Sequence, residues 1–266
     1  MNIGFFDSGI GGLSVLREAM ALLPNENYIY YADSDNAPYG IKTKEEVRQL
    51  TFNAVKFMVD RGIKALVVAC NTATSAAVRD LRGAYGFPVI GMEPAVKPAV
   101  AKNTDAGKRV LVLATPLTLK EEKFQSLVTR FDSCHIVDML PAPKLVELAE
   151  RFIFSGPEVD SYIKGILPED IHKYGTVVLG CTHFPFFKPA LAGILPADVD
   201  IIDGNRGTVN YLHQVLKTEN LLSPSTRKGK VVFYKSGIQV KDNETIDNYK
   251  KIISDSIFHM LPYEND

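Results

Sequence analysis

Two segments of this chain are written almost alike. One is Leu66-Val67-Val68-Ala69-Cys70-Asn71-Thr72-Ala73-Thr74, the other Val177-Val178-Leu179-Gly180-Cys181-Thr182-His183-Phe184. In each, an apolar run ends at a cysteine and a threonine follows within two residues. Short runs that are apolar at every position suit strands of a parallel sheet covered on both faces. A helix is expected to begin after each cysteine. The apolar runs Ile3–Phe6 and Arg109–Ala114 lie at a similar interval, so the chain reads as two similar α/β halves in tandem.

Strand-like and helix-like patterns alternate throughout. Strands are expected at Ile3–Phe6, Tyr28–Ala32, Ala65–Ala69 and Val89–Ile90 in the first half. In the second they fall at Arg109–Ala114, His135–Asp138, Thr176–Leu179 and Val199–Ile202, with a late one at Lys230–Tyr234. Helical periodicity marks Leu13–Leu23 and Thr43–Arg61, where Thr43 and Glu46 form a capping box. Further helices are expected over Leu119–Phe131, Lys144–Phe154, Thr208–Leu216 and from Glu244, with Pro157 and Glu158 in the first turn of another. Such alternation argues for parallel α/β sheets. The expected division is residues 1–97 plus 210–266 as a first domain and 98–209 as a second, the boundary falling near Pro98–Gly107. One continuous sheet is the alternative.

In open parallel sheets, ligands bind beyond the carboxyl ends of the strands. Asp7-Ser8, Asp33, Cys70-Asn71-Thr72, Thr115 and Cys181-Thr182-His183 all fall at such ends. If the two domains face each other along these edges, the residues converge on one cleft between them.

Composition narrows the chemistry. A formal net charge of -1 with no long basic run gives no electrostatic footprint for nucleic acid. No apolar stretch is long enough to span a bilayer, and the N-terminus lacks a signal-peptide pattern, so a cytoplasmic protein is expected. The 3 cysteines are odd in number and far apart, which disfavours a disulfide framework, and their spacing suggests no metal site. Gly9-Ile10-Gly11-Gly12 is not the dinucleotide fingerprint; its glycines suit a tight turn and close backbone approach.

Two thiols at matching junctions point to proton transfer. A helix N-terminus favours an anion, whether a thiolate or a bound carboxylate. One thiolate can remove a proton from a stereogenic carbon while a thiol opposite returns one to the other face. Asp7 is placed to accept a thiol proton, and His183 to exchange protons with Cys181. For each of these residues a structural role is the competing reading: a helix cap for Asp7, a hydrogen-bonded histidine for His183, a turn for Pro38-Tyr39-Gly40. Cys134 has no comparable context.

Four segments occurring in order carry a resemblance: Phe6-Asp7-Ser8-Gly9-Ile10-Gly11-Gly12, Pro38-Tyr39-Gly40, Cys70-Asn71-Thr72-Ala73-Thr74 and Gly180-Cys181-Thr182-His183-Phe184-Pro185. Together they resemble the cofactor-independent aspartate/glutamate racemases, and among them the bacterial glutamate racemase family. The resemblance implies an isomerase that interconverts L- and D-glutamate without pyridoxal phosphate or any other cofactor, supplying D-glutamate for peptidoglycan. It implies that Cys70 and Cys181 are the two bases, acting on D- and L-glutamate respectively. Asp7, His183 and Glu150 match auxiliary acid/base positions, with Glu147 a nearby competitor for the last. Asp7, Ser8, Tyr39, Gly40, Asn71, Thr72, Thr182 and His183 match substrate-binding positions. A homodimer and a DNA gyrase interaction are further implications. Gly91-Met92-Glu93-Pro94, Asp203-Gly204 and Phe184 with Phe186-Phe187 depart from the family's usual residues. An aspartate or other amino-acid racemase of the same superfamily, or a non-catalytic binding or regulatory protein on the same fold, is the alternative.

Overall fold

The computed structural model describes residues 1–104 and 107–254. The chain opens with β1 (Asn2–Asp7), α1 (Leu13–Leu22), β2 (Asn27–Ala32), α2 (Lys44–Val59), β3 (Ile63–Val68), α3 (Asn71–Ala84) and β4 (Val89–Gly91). After α4 (Val96–Thr104) come β5 (Arg109–Ala114), α5 (Pro116–Lys120), α6 (Glu122–Phe131), β6 (Val137–Pro141), α7 (Pro143–Glu150) and α8 (Pro157–Ile166). Then follow β7 (Tyr174–Leu179), α9 (Lys188–Ile194), β8 (Asp200–Asp203) and α10 (Asn205–Thr218). The chain closes with β9 (Val231–Lys235), β10 (Ile238–Gln239) and α11 (Asn243–Ile253).

These strands form two sheets with a shared plan. One runs β10-β9-β2-β1-β3-β4, the other β6-β5-β7-β8. The segments β2-β1-β3-β4 and β6-β5-β7-β8 have the same order, and their pairings are parallel. Even an irregularity repeats: the register slips once at the start of β1–β3, between Asn2 and Ile3, and once at the start of β5–β7, between Arg109 and Val110. Cys70 and Cys181 therefore leave equivalent strands.

Alternation along the buried strands assigns each residue to one face. Ile3, Phe5, Tyr28, Tyr30, Ala65 and Val67 belong to one apolar cluster; Phe6, Ile29, Tyr31, Leu66 and Val68 belong to another. The first cluster continues through Leu111, Leu113, Val177, Leu179 and Phe184, so the two halves share one core. The C-terminal strand β9 pairs with β2 rather than with the second sheet. A buried ion pair secures the connection to it. Lys64 Nζ lies 2.6 Å from Glu26 Oε2 and donates to Leu221 O, while Glu26 Oε1 accepts from the Ser223 amide. Among the described residues no helix is long and apolar enough to cross a membrane.

Several sequence expectations shift. The capping box on α2 forms as read, with Thr43 Oγ1 accepting from Glu46 N and Glu46 Oε2 accepting from Thr43 N. No α-helix starts at Cys181, however. Thr182 and His183 form a turn, Phe184–Phe187 a 3₁₀ turn, and α9 begins only at Lys188. Pro185 lacks the amide that an α-helix started at Thr182 needs for its first hydrogen bonds, and Phe184 N bonds to Cys181 O instead. The single helix expected over Leu119–Phe131 is two, α5 and α6. Thr115 caps α5 from the side chain, and extended Glu121 separates the pair. Lys144–Phe154 ends early at Glu150, with Phe152 in the left-handed region at φ 57°. The strand expected at His135–Asp138 runs Val137–Pro141, since His135 also has positive φ. The segment read as a boundary near Pro98–Gly107 is largely helix α4, with Pro98 tolerated in its first turn. Residues 105 and 106 of it, and 255–266 of the C-terminal segment, lie outside the described residues.

Breaking the Glu26–Lys64 pair from one side strands a buried charge. Lys64→Ala is expected to lower unfolding free energy by about 3 kcal/mol, because the Glu26 carboxylate loses its counterion. Urea denaturation of the two proteins measures the difference.

Candidate active site

The strand ends that carry the polar residues meet where the two halves pack. Asp7, the last residue of β1, is fully buried. Its Oδ1 accepts from the Gly9 amide at 2.9 Å and its Oδ2 from the Thr182 hydroxyl at 2.9 Å, so one carboxylate joins both halves. Burial pushes the Asp7 carboxyl up to about 6, against the pull of His183, the Gly9 amide and Thr182.

Cys70 caps α3: its Sγ accepts from the Ala73 amide at 3.4 Å and donates to Ser8 Oγ at 3.6 Å. A helix start favours a thiolate, but burial and the Asp7 carboxylate outweigh it. They push the thiol up to about 12, and the Cys181 sulfur adds a smaller push in the same direction. Cys181 has a different partner. Its Sγ lies 3.6 Å from His183 Nδ1, and His183 Nε2 lies 2.6 Å from Glu150 Oε1. Burial works against a charged His183, yet its bonds to Cys181 and Glu150 prevail and raise its pKa well above the ordinary imidazole value. Glu150 Oε1 also accepts from the Ile10 amide at 2.7 Å.

The glycine-rich turn makes this meeting possible. A Cβ on Gly9 would collide with the Glu150 carboxylate, and one on Gly11 would come within 2.5 Å of His183 Nδ1 and Thr182 Oγ1. The turn is the floor against which side chains of the second half lie.

The remaining candidates border the same place. Thr72 Oγ1 is 3.1 Å from Thr115 Oγ1 and 3.0 Å from Thr118 Oγ1, and the last two are 2.9 Å apart. This hydroxyl triangle spans the halves, and Gly40 packs so tightly on Thr115 that a Cβ would sit 2.6 Å from Thr115 Cβ. Asn71 is buried, and its Oδ1 has no hydrogen-bond partner. Tyr39 directs its hydroxyl to Asp33 Oδ2 at 2.6 Å; burial, then Asp33, raises its pKa. Thus Asp7 is bonded to Thr182, Ser8 to Cys70, and His183 to both Cys181 and Glu150, with Thr72 and Gly40 joined to Thr115. Tyr39 touches Asp33 with its polar end. Glu147, the competitor for the Glu150 position, is one turn earlier on α7 and has no such bond to His183. Sequence reading placed Thr115 and Asp33 at strand ends without a role, and it missed Thr118, which has no motif around it.

The structure thus sets buried polar groups, with a thiol at the end of each of two like sheets, where the halves of an α/β chain pack. Comparison with known proteins gives the class. The family model for Asp/Glu/hydantoin racemases matches residues 13–212. A Halothermothrix orenii protein named glutamate racemase is 53% identical over 256 residues, covering 96% of this chain and 100% of its own length. A Bacillus subtilis protein named glutamate racemase 2 is 52% identical over 253 residues, covering 95% of each. The crystal structure of Francisella tularensis glutamate racemase with D-glutamate superposes with a TM-score of 0.79 at 29% identity, covering 95% of this chain and 93% of that one. The chain belongs to the Asp/Glu/hydantoin racemase family and is an isomerase.

The raised Asp7 pKa carries a stability consequence. Between about 4 and about 6 the folded protein binds a proton that the unfolded chain releases, so this group costs stability as pH rises through that window. Asp7→Asn removes the cost. The variant is expected to melt above the wild type at pH 7.5 and to lose that advantage as pH approaches 4, as followed by thermal melts across pH.

Proposed function

We propose that this chain is a glutamate racemase that works by two-base proton transfer between Cys70 and Cys181. The observation that carries the reading is the pair of buried thiols on equivalent strands, each with its own proton partner, in a chain about half identical to proteins named glutamate racemase. The Francisella relative's complex with D-glutamate supports the substrate. The reading treats residues 1–97 with 210–266 and residues 98–209 as the two units flanking the amino acid.

The chemical difficulty is the α-proton, a very weak acid next to a carboxylate. One cysteine, as thiolate, takes that proton, and the C–H electron pair moves into the α-carboxylate. The other cysteine, as thiol, donates its proton to the opposite face of the carbon. Hydroxyl donors from Ser8 and Thr72 stabilise the charge that develops, while Thr182 gives its proton to Asp7. Asn71 Oδ1, buried without a partner, accepts from the substrate ammonium and keeps it charged. Backbone amides around Tyr39 and Gly40 hold the distal carboxylate.

The two sulfurs recycle their protons differently. Cys70 starts as a thiol, and Asp7 is the group that takes its proton as the cationic ammonium enters. The Cys181 proton passes to and from His183, whose charge Glu150 supports. In line with the family resemblance, Cys70 acts on D-glutamate and Cys181 on L-glutamate. D-glutamate made this way serves peptidoglycan synthesis.

The purified protein with no added cofactor is expected to racemise both enantiomers of glutamate, followed by circular dichroism, with aspartate turned over far more slowly. In deuterated water the product enantiomer acquires deuterium at the α-carbon. Cys70→Ala and Cys181→Ala are each expected to lose about three orders of magnitude in interconversion. Wild-type-like turnover in either variant would exclude the two-base assignment, and turnover of aspartate alone would exclude the substrate.

A further inference from the structure

We propose that Tyr30 is a positioning residue for the Cys181 side of the site, acting through the Gly9–Ile10 peptide; this rests on the racemase reading above. Tyr30 lies in the middle of β2, fully buried. Its hydroxyl donates to Gly9 O at 2.7 Å. That carbonyl belongs to the same peptide unit as the Ile10 amide, which donates to Glu150 Oε1 at 2.7 Å. A trans peptide is planar, with its C=O and N–H pointing to opposite sides. Fixing the carbonyl on Tyr30 therefore aims the amide at Glu150.

From Glu150 the contacts continue to His183 Nε2 at 2.6 Å, and from His183 Nδ1 to Cys181 Sγ at 3.6 Å. Tyr30 is thus the far end of a line of five groups that terminates at a reacting sulfur. A hydrogen bond to a carbonyl also polarises its peptide and strengthens the attached N–H as a donor. The Glu150 carboxylate gains from that, and with it the charge on His183.

The turn needs such an anchor because glycine supplies none. Gly9 must lack a side chain to admit Glu150. The same absence leaves its backbone torsions broad, so this peptide can rotate at little cost unless something holds it. Tyr30 is itself fixed by aromatic edges, with the Phe233 ring at 6.4 Å and the Tyr249 ring at 6.3 Å, both crossing it steeply. Its hydroxyl also sits close under the turn, where a Cβ on Gly12 would lie 3.1 Å from it.

Tyr28 provides an internal control. It is buried two residues away on the same face of β2, and its hydroxyl donates to Leu23 O at 2.7 Å and Ala19 O at 3.1 Å, at the end of α1. It has no bond toward Glu150. Tyr28→Phe and Tyr30→Phe each delete one buried hydroxyl and are expected to lower the melting temperature comparably. Tyr30→Phe alone is expected to reduce kcat on the order of tenfold, the scale of one hydrogen bond.

Direction-specific isotope effects separate positioning from general loosening. Slowing transfer at Cys181 raises the kcat/KM isotope effect for the α-deuterated enantiomer that gives its deuterium to that sulfur, and lowers it for the other. Tyr30→Phe is expected to show this asymmetry in the same sense as Glu150→Gln, and Tyr28→Phe to show none. In protein carrying ¹⁵N-histidine, the His183 Nε2 resonance is expected to move in Tyr30→Phe and stay in place in Tyr28→Phe. Tyr30→Phe kinetics and a His183 signal matching those of Tyr28→Phe would overturn the proposal. If Tyr30→Phe fails to fold, Tyr249→Leu, which loosens the ring wall behind Tyr30, reports instead: isotope effects for both enantiomers unchanged from the wild type would overturn it. A wild type inactive on glutamate counts against the racemase reading, whereas the His183 signal still decides the line of contacts.

Discussion

The site depends on one close approach, that of the Gly9–Gly12 turn to side chains from the other half. Asp7, at the foot of the turn, is hydrogen-bonded to Thr182, and the Ile10 amide to Glu150. Ser14, just past the turn, donates to Thr182 O at 3.1 Å. Each of these bonds is buried or nearly so, where a polar group left without a partner is costly. Drawing the halves apart costs Asp7, Glu150 and Ser14 their cross-half partners together. The polar network and the packing of the two sheets are one constraint.

On that constraint rests an asymmetry. The backbone plan repeats, and the sulfurs emerge at corresponding points, yet their surroundings differ. Strand β1 ends in Asp7 where β5 ends in Ala114, so only one half contributes a carboxylate at that position. Cys70 meets a hydroxyl and a backbone amide at a true helix start. Cys181 emerges into a 3₁₀ turn and meets an imidazole backed by a carboxylate. A duplicated scaffold thus holds two thiols in surroundings of different character. The two are not independent, since the Cys181 sulfur adds to the upward push on Cys70.

Much of this was legible in the sequence. Apolar runs ending at Cys70 and Cys181 fixed the two strands, and periodicity with the Thr43–Glu46 capping box fixed α2. The capacity of Gly9 and Gly11 for close approach could be inferred, but what approaches them could not. Glu150 and His183 come from distant segments, and only the fold brings them there. Thr118 and Tyr30 escaped notice for the same reason: no local pattern surrounds either, and each acquires meaning from a partner far along the chain. Local conformation failed where a proline or a buried charge overrode periodicity, as at Pro185 and at Glu121. The latter is paired with Lys44 of the other half at 3.2 Å.

The place of β9 has a consequence for how the molecule is made. It is the neighbour of β2, although some 200 residues separate them in sequence order. A chain leaving the ribosome N-terminus first exposes β2 as a bare edge until β9 follows. The second half can close its own four-stranded sheet in that interval, while the first waits for a strand encoded after all of the second sheet's.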